Sequence, residues 1–229
     1  HDSQIDVAGK VSVDAASDAV TKTLAIGGAV GGQVAVAGSA SANVIGSTTD
    51  AEVVGINLDA QQAGNIGSLQ VSADNRGAAH SLAGAISGGG STAVGAAVSI
   101  NTVGGQTSAS VRDAVLGDAS AVQVDAASST LINTLAAAGS GSGGASVAGS
   151  ATTNFINTDT RASLADVSLD NAAAQVAVRA GDERQINSLA GALAGGSAGV
   201  GVAVAVNQIG GSTVAEVRGG AADRQLHVS

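Results

Sequence analysis

Apolar and polar positions alternate with a period of two over long stretches of this chain. At that spacing successive side chains point to opposite faces of a β-strand. Val34, Val36, Gly38, Ala40, Ala42 and Val44 fall on one face, and Ala35, Ala37, Ser39, Ser41, Asn43 and Ile45 on the other. The split recurs near residue 200, where Ala198, Val200, Val202, Val204 and Val206 oppose Gly199, Gly201, Ala203, Ala205 and Asn207. One face is bulky and branched; the other is nearly all Gly, Ala, Ser or Asn. Burial of branched apolar surface is favourable, so the branched face is expected to line the core.

The alternation sits inside a longer repeat, and a repeat decides a fold. Asn43, Asn101, Asn154 and Asn207 are spaced 58, 53 and 53 residues apart. Six residues after each comes Thr49, Thr107, Thr160 or Thr213, then Ala51, Ala109, Ala162 or Ala215. A second marker keeps the same beat: Val11-Ser12-Val13, Leu69-Gln70-Val71, Val122-Gln123-Val124, Val176-Ala177-Val178 and Leu226-His227-Val228. Bounded strands at a fixed period predict an all-β fold, a parallel β-helix (β-solenoid) of four repeats of about 53 residues. The chain reads as one elongated segment, 1–229, with units near 11–68, 69–121, 122–175 and 176–225. Residues 54–68 look like a longer loop in the first unit. Each unit holds about four strand-like runs, which predicts two or three coils per unit. Roughly 8–12 coils at about 4.8 Å each would make a rod of about 40–60 Å.

The candidate positions are therefore Asn43, Asn101, Asn154, Asn207, Thr49, Thr107, Thr160 and Thr213. Stacked Asn amides can hydrogen-bond from coil to coil, although intervening coils would separate equivalents. A turn or ladder role is the main reading, and ligand binding the alternative.

Charge adds a second division. Nine Lys and Arg face 18 Asp and Glu, a net charge of −9. Residues 23–49, 81–111, 126–158 and 185–215 contain no charge at all. One side of the solenoid is expected to be flat and uncharged, the other acidic. The uncharged blocks either form the tightly packed sheets or offer their small-residue face to a second layer or another chain. The acidic balance and the lone aromatic, Phe155, argue against nucleic acid, which needs basic patches and stacking rings. With no Trp, Tyr or Met, a wide globular interior cannot be filled, so something thin is predicted. The absence of Cys excludes disulfides and thiolate sites. The start, His1-Asp2-Ser3 with no Met anywhere, suggests a fragment or a processed chain.

Chemistry-bearing motifs are sparse. Gly139-Ser140-Gly141-Ser142-Gly143-Gly144 matches a dinucleotide pattern in letters, but no helix start follows it. Leu189 to Val206 is long enough to span a bilayer as a helix, yet its period is two, so no membrane span is expected. His80 reads as an exposed loop residue. The carboxylate pairs Asp50/Glu52 and Asp182/Glu183 lack the aromatics and long loops of polysaccharide-cleaving β-helices. The chain is expected not to be an enzyme, with no catalytic residues, cofactor or metal.

The track L-A-G-x-x-x-G-G-x-x-x-V-G-x-A-V-A-V-N-x-I, followed by T-x-A-x-V, runs from Leu189 through Asn207 and Ile209 to Thr213, Ala215 and Val217. A similar track runs from Leu82 through Asn101 to Val111. It resembles the repeat region of large Gram-negative filamentous adhesins, the leukotoxin-like and haemagglutinin-like autotransporter or two-partner-secreted proteins. That resemblance implies a right-handed β-helix, secretion to the bacterial cell surface, and a stalk that projects binding regions in cell adhesion. Val34-Ala35-Val36-Ala37 and Val202-Ala203-Val204-Ala205 are also similar to the head repeats of trimeric autotransporters, which would make the small-residue faces subunit contacts. The alternative function is an adhesive module whose uncharged face binds a glycan, a surface or a partner chain, including a second copy; the ligand itself is not specified.

Overall fold

A computed structural model describes residues 9–56, 67–117, 119–169 and 174–219. Among them there are nine strands and no helix: β1 (Lys10–Gly31), β2 (Val34–Val54), β3 (Ser68–Gly89), β4 (Thr92–Val115), β5 (Ala121–Ser142), β6 (Ala145–Ser168), β7 (Gln175–Gly195), β8 (Ala198–Gly210) and β9 (Thr213–Arg218). β1, β3, β5 and β7 form one sheet; β2, β4, β6 and β8 form the other, with β9 continuing beside β6. All pairings are parallel. The chain is thus an all-β solenoid whose coils each contribute one strand to each of two facing sheets.

The coil is the repeat. Val11 pairs with Leu69, Leu69 with Val122, and Val122 with Val176. Asn43 pairs with Asn101, Asn101 with Asn154, and Asn154 with Asn207. The last marker, Leu226-His227-Val228, lies outside the described residues. This register corrects the expectation of two or three coils per unit. The apparent four runs are two strands of 21–24 residues in each of the first three coils, and the Gly and Ser that look like breaks lie inside them. Coils stack at only about 4.8 Å each along the axis, whereas strands advance about 3.3 Å per residue across it. With β1 running from Lys10 to Gly31, the slab is wider than it is tall. The long rod expected from two or three coils per unit is not formed.

Burial also reverses the expectation. Val36 is 66% and Val44 78% exposed, whereas Ala37 is 4% and Asn43 2% exposed. The small-residue face points inward, against the second sheet, and the branched face points out. The cause is the tight end of each coil. Only Gly32-Gln33, Gly90-Ser91, Gly143-Gly144 or Gly196-Ser197 separates the two strands there. Three Cα-to-Cα steps reach at most about 11 Å, so the sheets start close and leave no room for Val. A Cβ on Gly27 would collide with the facing Gly38 carbonyl, and one on Gly95 would lie 2.7 Å from the Gly139 oxygen.

The interior changes along the strands. Next to the tight end it is alanine, with Ala37, Ala83, Ala85, Ala97, Ala136, Ala138 and Ala148 in one cluster. A Ser, Thr and Asn layer follows, then a short apolar layer of Ile45, Val103, Ile132 and Ile156 over Ala79. At the far end the interior is large and branched, built on Leu69, Val71, Val111, Val122, Val124 and Leu164. There the links between coils are longer, 55–67, 116–120 and 169–174, and side chains of ordinary core size fit. One device recurs at that end. Gly55, Asp113 and Asp166 occupy equivalent positions and all have positive φ, 66°, 53° and 53°. Gly and Asp tolerate that region better than branched residues do. Of the expected 54–68 loop, Val54 closes β2 and Ser68 opens β3; residues 57–66 lie outside the described residues.

Candidate functional site

The eight positions singled out by the repeat lie on the inner face. Asn43, Asn101 and Asn154 are buried, as are Thr49, Thr107 and Thr160; Asn207 and Thr213, on the last coil, are exposed. The Asn side chains touch directly. Asn43 Nδ2 donates to Asn101 Oδ1, Asn101 Nδ2 to Asn154 Oδ1, and Asn154 Nδ2 to Asn207 Oδ1, each at 2.8 Å. No coil intervenes, so the separation foreseen between equivalents does not exist. Thr134 Oγ1 on the facing sheet accepts from Asn101 at 2.7 Å and donates to Asn154 at 2.8 Å. A buried amide costs free energy unless it is paired, and the ladder does the pairing. A ligand reaches none of the first three Asn.

The remaining candidates are dispersed. Asp182 and Glu183 are neighbours in sequence but face opposite ways, because adjacent strand residues do. Asp182 points inward, its side chain 2% exposed, and its Oδ2 accepts from Arg184 at 2.6 Å and from Thr158 and Thr160 at 3.0 Å. Arg184 also donates from Nε to Thr158 Oγ1 at 2.9 Å. This internal ion pair replaces the Ser128 and Thr130 of the preceding coil. Asp50 and Glu52 both lie on the outer face of β2, Glu52 paired with Arg112 at 2.5 Å. His80 is not a loop residue; it sits within β3, 3.2 Å from the Asn133 amide nitrogen. Gly139 to Gly144 runs from the end of β5 through the turn into β6, so no helix follows it. No helix among the described residues is long and apolar enough to cross a membrane. No group of three or more His, Asp or Glu that could hold a metal is found among the described residues.

Two surface carboxylates are held below the ordinary aspartate range by hydrogen bonds. Asp14 accepts from Ser12 at 2.7 Å and from Ser72 on the next coil. Asp159 accepts from the Ser212 hydroxyl at 2.7 Å and its backbone N–H at 2.8 Å. Both bind coil to coil.

What remains is the outer surface of the uncharged blocks. On the β2–β4–β6–β8 sheet, Val36, Val94, Val147 and Val200 stack in register; Val94 is half-buried, while Val36, Val147 and Val200 and the flanking Val98, Ile100, Val202, Val204 and Val206 are all at least 38% exposed. On the opposite sheet Leu24, Leu82, Leu135 and Leu189 form a second ladder. It borders a parallel polar ladder of Lys22, His80, Asn133 and Asn187. Together they line an open depression of about 890 Å³. Apolar area of this extent, contiguous and uncharged, is the usual mark of an interaction surface. The sequence pattern contained it, but hydrophobicity assigned it to the inside. Comparison of the chain with protein-family models, with curated proteins and with solved structures finds no match.

Proposed function

We propose that this chain is a structural repeat segment of a secreted or cell-surface filamentous adhesin of Gram-negative bacteria, and that it works by presenting broad apolar faces. The repeat track that resembles such adhesins supports the setting. The observation that carries the mode of action is the inverted surface: branched ladders outside, Ala, Ser and Asn inside, as at Val36 and Ala37. Presentation fits the proportions better than reach. Each coil adds only about 4.8 Å along the axis, while its strands extend far across it, as β1 does from Lys10 to Gly31. The small-residue face cannot serve, since the facing sheet covers it. The test is adsorption of the purified chain to apolar surfaces and to candidate partner cells. Val147→Lys with Val200→Lys should abolish it while circular dichroism stays unchanged. Unchanged adsorption would contradict presentation by this face.

Spacing is the second reading, and the unbroken Asn ladder favours it. In a solenoid each unit contacts only its neighbours, so such a ladder extends with every added repeat.

A further inference from the structure

The depression on the outer face of the β1–β3–β5–β7 sheet is a groove with two unlike walls. One wall is the apolar ladder from Leu24 to Leu189; the other is the polar ladder from Lys22 to Asn187, two residues away along each strand. Its volume, about 890 Å³, is that of a small-molecule site. A coil stacked above or below would leave these side chains outside, so the groove does not rest on the end coils being open.

The polar wall has a direction. Asn187 Nδ2 donates to Asn133 Oδ1 at 2.9 Å, and Asn133 Nδ2 lies 3.2 Å from His80 Nδ1. An amide nitrogen only donates, so Nδ1 accepts, and the neutral ring carries its proton on Nε2. That N–H has no acceptor among the described residues. Lys22 is the next step of the ladder and makes no ion pair among the described residues. Of the described residues that line the groove, Lys22 alone is charged. Unused donors therefore collect at Lys22 and His80, while the Asn amides bond one another.

We propose that this groove binds a single-chain anionic amphiphile, its head group at Lys22 and His80 and its alkyl tail along Leu82, Leu135 and Leu189. This does not depend on the adhesin reading. The head group accepts a charge-assisted bond from the Lys22 ammonium and a second bond from His80 Nε2–H. The tail covers a wall that is open to water: Leu24 is 65% and Leu189 64% exposed. From the first coil to the fourth the ladder spans three steps of about 4.8 Å, about 14 Å in all. An extended chain of about twelve carbons, with bonds of about 1.5 Å, covers that span. A sugar chain fits less well, because no aromatic ring lines the groove and the Asn amides are already paired. A cationic ligand would meet Lys22.

The test is isothermal titration calorimetry of the full chain with dodecanoate below its micelle concentration. One molecule should bind per chain, and dodecyltrimethylammonium about tenfold more weakly. Lys22→Glu reverses the charge and should weaken dodecanoate about tenfold. Leu135→Ser removes apolar wall without adding charge and should weaken it by a similar factor, about tenfold. Val147→Ser makes the same kind of change on the opposite sheet and should leave binding unaltered. Circular dichroism checks that each variant folds. Absence of binding overturns the proposal, as does equal binding of the cationic chain. Binding unaltered in either Lys22→Glu or Leu135→Ser also overturns it. So does an equal loss in Val147→Ser, which would mean adsorption to apolar surface in general. Failure here with intact adsorption through the β2–β4–β6–β8 face would leave the presentation of apolar faces standing.

Discussion

The tight-turn end and the far end of each coil use one backbone arrangement and opposite chemistry. At the far end Leu69, Val71, Val124 and Leu164 are at most 1% exposed, and charges such as Glu52, Arg112 and Arg161 lie outside. That is the ordinary inside-out order of a soluble protein. At the tight end Ala83, Ala97 and Ala136 fill the interior, while Ile26, Val30 and Leu193 are at least 72% exposed. The difference follows from the length of the connection. A two-residue turn brings the sheets together, excludes large side chains and expels them to the surface. Side-chain volume, not hydrophobicity, decides which face is buried there.

The two ends should therefore answer opposite substitutions. The largest effect is expected for Leu164→Ala at the far end, which leaves a cavity and should cost about 3 kcal/mol in urea denaturation. Asn101→Ala interrupts the ladder between the ends, removing the buried bonds of Asn101 to Asn43, Asn154 and Thr134; about 2 kcal/mol is expected. Ala148→Leu at the tight end enlarges a side chain where none fits and should cost about 1–2 kcal/mol through overpacking. If it stabilised the chain, the volume argument would be broken. Val147→Lys, one residue away but facing outward, should change stability by no more than about 0.5 kcal/mol.

The smallest effect concerns pH. Asp14 and Asp159 have folded values below the ordinary range, so they bind fewer protons folded than unfolded. Their contribution is present above the ordinary aspartate value and is lost as pH falls through the lowered one. The urea midpoint should drop slightly over that acid window, and Asp159→Asn should blunt the drop. An unchanged slope in that variant would remove the tie to Ser212.

Much of this architecture is legible in the residues. Strand character, parallel stacking and the register follow from Asn43, Asn101, Asn154 and Asn207 and the Val marker, since identical positions stack in a parallel solenoid. The number of coils is not legible, because Gly38, Gly95 and Gly149 look like breaks yet lie within straight strands. Nor is the orientation of the faces. Val34 to Val44 reads as a core stripe by hydrophobicity, and only the approach of the sheets at Gly27 and Gly38 reverses it. The role of Asn is legible in type but not in contact, because the contact depends on one coil per repeat. The Asp182–Arg184 pair breaks the repeat at a single coil, so no periodic signal points to it.

The absence of Cys from the chain gives the inverted interior a direct test. Single cysteines at neighbouring positions of β4, Val98→Cys and Ser99→Cys, can be labelled with a maleimide in the folded protein. Val98 is 38% exposed and Ser99 0%. The account predicts rapid labelling at 98, and labelling at 99 only as fast as the coil opens. Rapid labelling at 99 with protection at 98 would place the branched face inside and contradict it.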